Sequence, residues 1–147
     1  MRGEPVVVLL VEDSEDHAEL VVRNLHEHNV ANRIAHVTDG QAALDYLLRR
    51  GDYADPERSP RPHVVLLDLR LPKVDGLEVL RAIKEHPDLK AIPVVVLTTS
   101  QAERDVAGAY QHHVNSYLVK PVGFEQFCRM MKDLGFYWMG WNVAPQL

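Results

Sequence analysis

Three nearly unbroken apolar runs in this chain stop abruptly on polar residues. Val6–Val11 ends at Glu12-Asp13, the stretch from His63 ends at Asp68, and Ile92–Leu97 ends at Thr98-Thr99-Ser100. A strand that is apolar throughout is buried on both faces, so these runs predict a parallel sheet covered by helices. The segments between them carry helical periodicity. After Ser14, which reads as an N-cap, Ala18, Val21, Val22 and Leu25 fall at i, i+3, i+4 and i+7. Asp39 can cap a second helix with Ala43, Leu44, Leu47 and Leu48 facing inward. Gly76 opens a third, with Leu77, Leu80 and Ile83 on one face, and Ser100 with Glu103 has capping-box spacing before a fourth. Asn32–Val37 and Ser116–Val119 supply a second and a fifth strand, and a last helix carries Phe124, Phe127, Met131 and Leu134. Five βα units with right-handed crossovers make a doubly wound α/β domain with helices on both faces of the sheet.

A chain of 147 residues suits one domain with one core. Its net charge of -5 lacks the basic surplus of a duplex-binding protein, so nucleic acid is not an expected partner. Cys128 is the only cysteine, so no internal disulfide forms. The first apolar run is too short for a signal peptide or a membrane span, which predicts a cytoplasmic protein with no membrane partner. None of the eight histidines has zinc-motif spacing, and no phosphate-cradling glycine loop occurs. The segment Gly51–Pro62 holds three prolines and five charges in twelve residues and is expected to be a functional or mobile loop, or a solvated insertion.

Ligands of an open parallel sheet bind beyond the carboxyl ends of its strands. There this chain places Glu12, Asp13, Asp68, Thr98 and Lys120. With strands 1, 3, 4 and 5 as neighbours, these side chains share one crevice. Three crowded carboxylates either raise a pKa or bind a cation. An oxygen-only donor set favours a hard cation, and Mg2+ is the natural choice. With Lys120 and the Thr98 hydroxyl opposite, the arrangement prepares Asp68 as a nucleophile toward phosphorus.

Glu12-Asp13, Asp68 with Pro72 and Gly76 behind it, Thr98, Tyr117 and Lys120-Pro121 occur in order and at the right spacing to resemble the receiver domain of two-component response regulators. The resemblance covers about residues 6–134. It implies a flavodoxin-like receiver fold with five parallel strands in the order 2-1-3-4-5. It also implies that Asp68 accepts a phosphoryl group from a sensor histidine kinase, and that Asp13, Asp68 and the main-chain carbonyl of Arg70 bind Mg2+. Glu12 stands where the family often has aspartate and is one methylene longer, which suits action through a water. Lys120 would pair with the phosphoryl group and Thr98 would hydrogen-bond to it. Tyr117 would be the aromatic switch, and the Lys120–Pro121 bond would be cis.

Arg70 matters for what it replaces. Aspartate-based phosphatases of the haloacid dehalogenase type carry a second aspartate two residues after the nucleophile, and a permanently protonated arginine cannot act as that acid/base. A signalling phosphoacceptor is therefore expected instead of a turnover enzyme. A phosphatase of this topology and a non-phosphorylated pseudo-receiver are the competing readings.

The domain reading is a receiver over 1–135 and an aromatic tail over 136–147 with no separate output domain. Phe136–Trp141 contains both tryptophans, and such a patch is expected to make a homodimer together with the last helix. The long loop before strand 3, the VVVLTTS strand and the aromatic tail are similar to the stand-alone regulators that partner bacterial phytochrome-type kinases.

Overall fold

The computed structural model describes residues 7–27, 33–98 and 116–119, and Glu125 and Arg129 as helical positions; the side chains of Asn24, Leu25, Glu27, 98 and 116–119 are outside that description. The strands are β1 (Val7–Val11), β2 (Arg33–Val37), β3 (Val64–Asp68), β4 (Val94–Thr98) and β5 (Ser116–Val119). All neighbours pair in parallel, in the order β2-β1-β3-β4-β5. The expected sheet topology is therefore the observed one.

The helices are α1 (Glu15–Glu27), α2 (Gly40–Leu48) and α3 (Gly76–Glu85), with a 3-10 turn at Gly51–Tyr53. Leu9, Val11, Val37, Val65 and Leu67 pack in one cluster with Ala43, Leu47, Val79, Leu80 and Ile83, so α2 and α3 cover the same face of the sheet. Adjacent strand residues point to opposite faces. His36, next to Val37, lines a groove with Ala18 and Val22 of α1, which puts α1 on the other face. Each β1 and β3 residue is buried, as two-sided covering requires.

Local chemistry sets the helix starts. The Ser14 hydroxyl accepts the His17 amide at 3.3 Å. Asp39 caps α2 by accepting the Ala42 amide at 2.7 Å, and Asp75 caps α3 by accepting the amides of Leu77 and Glu78. Two inward-facing assignments change. In α2 Tyr46 is buried along with Ala43 and Leu47, while Leu44 and Leu48 are only half-buried. In α3 Val79 is buried with Leu80 and Ile83, while Leu77 is half-buried. Flanking loops widen the covered arc beyond a simple helical stripe.

The Gly51–Pro62 segment is a packed cap on the carboxyl end of α2. Tyr46 donates its hydroxyl proton to the Pro60 carbonyl at 2.8 Å and its ring lies 5.4 Å from that of Tyr53. The buried Ser59 hydroxyl donates to the Tyr53 carbonyl at 2.7 Å. Arg61 donates to the Leu47 carbonyl at 3.0 Å, and Arg33 reaches from β2 to the carbonyls of Glu57 and Arg58. Eight of the twelve residues are exposed, as a solvated insertion requires, while these contacts tie its inner side to α2 and β2.

Candidate functional site

The sheet register fixes the level of each candidate side chain. Val11 pairs with Leu67, so Glu12 and Asp68 each stand one residue past the same rung. Asp68 in turn pairs with Leu97, which puts Thr98 one residue beyond it, beside Val119. A parallel sheet makes every strand finish on one side, and this one delivers its polar ends to one crevice.

Oxygens of Glu12, Asp13 and Asp68 lie within 4.8 Å of one another. Glu12 and Asp68 are 1% and 4% exposed, whereas Asp13 is open to solvent. Two carboxylates so deeply buried need hydrogen bonds or positive charge beside them. Part of that comes from the backbone. Glu12 Oε2 accepts the Ser14 amide at 3.1 Å, and Asp68 Oδ1 accepts the Arg70 amide at 2.9 Å. The remaining donor set, all oxygen and open on the Asp13 side, suits a hard divalent cation.

All three expected site carboxylates are thus brought together, and Arg70 follows as an exposed residue whose backbone closes a turn on Asp68. Thr98 and Tyr117 are placed by backbone alone, on the adjacent strands β4 and β5. Lys120, Pro121, Ser100, Glu103, the last-helix positions Phe124, Phe127, Met131 and Leu134, and the aromatic tail lie outside the described residues.

Two histidines that no motif announced touch Glu12, and a lysine that none announced ties the following loop to α2. His17, on the first turn of α1, brings Nδ1 to 4.0 Å from Glu12 Oε1, and His36 donates from Nε2 to the Glu12 carbonyl at 2.8 Å. Lys73 in the loop after Asp68 pairs with Asp39 at 3.6 Å. Isolated histidines and a loop lysine have no spacing signature, so only the folded geometry shows them.

The response regulator receiver domain family matches residues 8–132. The probable methanogenesis regulatory protein FilR2 of Methanothrix harundinacea is 51% identical over 97% of this chain and 89% of its own length. Response regulator Rcp1 of Synechocystis is 46% identical over 96% of this chain and 94% of its own. Among solved structures, the bacteriophytochrome response regulator RtBRR shares 46% identity at a TM-score of 0.84, covering 97% of this chain and 85% of that one. The Mn(2+)-bound form of Rcp1 shares 45% at 0.72, covering 96% and 99%. The phosphorylated cyanobacterial phytochrome response regulator RcpA shares 40% at 0.74, covering 92% and 94%. The acidic crevice at the carboxyl ends of β1 and β3 and these matches lead to one assignment: the chain belongs to the response regulator receiver domain family, among relatives that include phytochrome response regulators.

Proposed function

We propose that this receiver takes a phosphoryl group onto Asp68 in an Mg2+-dependent reaction, and that the donor is a phosphohistidine of a phytochrome-type sensor kinase. The observation that carries the reading is the convergence of Glu12, Asp13 and Asp68 oxygens within 4.8 Å at the ends of two adjacent strands. Glu12, Asp13, Asp68 and the main-chain carbonyl of Arg70 would hold the cation. When bound, a divalent cation withdraws charge from the phosphoryl oxygens and lets them approach the carboxylates. The manganese named for the Rcp1 structure and the phosphorylation named for RcpA support this for relatives of the same length class.

The chain's own groups divide the remaining work. A carboxylate oxygen of Asp68 forms the bond to phosphorus while the phosphorus–nitrogen bond to the donor imidazole breaks. The Arg70 amide holds Oδ1, which orients the carboxylate for an in-line approach. Lys120 neutralises the transferred group and the Thr98 hydroxyl donates to it. Tyr117, which pairs with Val96 and so stands diagonal to Thr98 across the β4–β5 pair, would be the ring that follows that hydroxyl inward. Arg70 offers no general base two residues after Asp68, so the acyl phosphate persists as a signal and the protein does not turn over substrate as a phosphatase.

The kinase class rests on names of relatives. RtBRR and RcpA are named for phytochromes, while the name of FilR2 concerns methanogenesis. The phytochrome reading is preferred because three similar structures share it or the Rcp1 identity. Output is proposed to be a change of protein-protein contact within a homodimer built on the last helix and the 136–147 tail, without nucleic acid. The receiver would then occupy 1–135.

Incubation with a small phosphodonor and Mg2+ tests the site reading by intact mass. One added phosphoryl group is expected, lost when divalent cation is chelated and in Asp68→Asn. Retention of the label in Asp68→Asn contradicts the assignment.

A further inference from the structure

We propose that Gly40, the first residue of α2, is a positioning residue for the loop 69–75 that carries the Arg70 end of the cation site. The proposal rests on the function proposed above and extends it to a helix that contributes no site side chain.

Gly40 is buried against that loop. Its amide donates to the Pro72 carbonyl at 3.3 Å. A Cβ on Gly40 would stand 1.8 Å from the Val74 carbonyl oxygen and 2.7 Å from its carbon, both backbone atoms that no rotamer change can move aside. Gly40 does not need glycine for its dihedral angles, because its φ is outside the left-handed region. Inside a helix alanine is the better former. The requirement for glycine therefore comes from the close approach. Beside it, Asp39 Oδ2 lies 3.6 Å from Lys73 Nζ, so α2 meets the loop through a backbone bond and a charge pair at successive residues.

The loop cannot absorb a push at this point. Pro72 has its φ fixed by its ring. Lys73 is held at φ 69°, a left-handed conformation that few non-glycine residues adopt. At the far end Gly76 donates to the Leu69 carbonyl at 3.1 Å, and a Cβ there would sit 2.5 Å from Leu69 Cα and 2.6 Å from the Asp68 carbonyl oxygen. Two helix starts thus grip the loop from two sides. A displacement at Pro72 or Val74 has a short path to Arg70, whose amide holds Asp68 Oδ1 at 2.9 Å. The geometry links cation binding near Asp68 to the amino end of α2.

Two measurements on the full chain test the link. In a titration of isotope-labelled protein with Mg2+, the Gly40 amide resonance is expected to shift with the same midpoint as those of Asp13 and Asp68. If those two shift and Gly40 does not, the link is overturned while the cation site stands. If none of the three shifts, the cation reading itself fails. In Gly40→Ala, the Mg2+ concentration for half-maximal shift of Asp13 is expected to rise by about tenfold, the lower end of the cost of disturbing a ligand's hydrogen-bond partner, here the Arg70 amide on Asp68. An unchanged midpoint in a folded variant makes Gly40 merely structural and overturns the proposal. Should Gly40→Ala not fold, the native titration alone decides.

Discussion

Thr98 shows how much a single position depends on register. Its strand partner Val119 and its predecessor's partner Asp68 set it one step above the phosphoacceptor candidate. From there a hydroxyl can follow a phosphoryl oxygen and vacate space for the Tyr117 ring, biasing a two-state equilibrium that already exists. Thr98→Ala is expected to accept phosphate on Asp68 and yet leave the ring in its unphosphorylated rotamer when a beryllofluoride adduct forms. A ring that turns fully in Thr98→Ala, or that has one rotamer in the native protein under both conditions, contradicts this role. Glu12 and Asp13 were legible because acids closing an apolar run are conspicuous. His17 and His36 were not, because each meets Glu12 through a fold contact and lacks a neighbour in sequence that marks it.

Among the elements, the α2 helix and its cap depart furthest from periodicity. Tyr46 is buried, where a leucine stripe was expected, because the Gly51–Pro62 segment folds back and gives its hydroxyl a carbonyl partner. Burial pushes the Tyr46 phenol above its ordinary pKa of 10.0, against smaller opposing contributions from Arg33 and Arg49. A raised folded pKa means that folding disfavours the phenolate. Its stabilising contribution is complete at pH values below the ordinary tyrosine range and falls as pH climbs through the raised value. Tyr46→Phe leaves the Pro60 carbonyl without this donor and is expected to cost about 1–2 kcal/mol at neutral pH. The same variant should lose less stability than the native chain between neutral and strongly alkaline pH, and trypsin should cut faster after Arg58, which precedes Ser59. Equal denaturation midpoints at pH 7, or an unchanged alkaline profile, would argue against this account of the cap. The parallel sheet was readable from burial and the helix starts from capping chemistry, whereas the strand order followed only from the resemblance to receiver domains. The cap itself was not, because its partners are main-chain carbonyls, which leave no side-chain pattern.

At the scale of the whole molecule, the sheet collects groups distant in sequence into one crevice, and among the described residues no helix is long and apolar enough to cross a membrane. The proposed dimer puts Phe136, Tyr137, Trp138, Met139 and Trp141 between subunits, where tryptophan and tyrosine most often anchor an interface. Deleting 136–147 is expected to leave a folded protein that sediments as a monomer. A full-length chain that is already monomeric at high micromolar concentration, with and without beryllofluoride, rules the dimer out. The central claim concerns one bond, between phosphorus and a carboxylate oxygen of Asp68. Borohydride reduces an acyl phosphate to a primary alcohol, so reduction of the phosphorylated protein followed by peptide sequencing in a mass spectrometer locates that bond. The account predicts the reduced side chain at position 68 and nowhere else; reduction at Asp13, at Glu12 or at no carboxylate would contradict it.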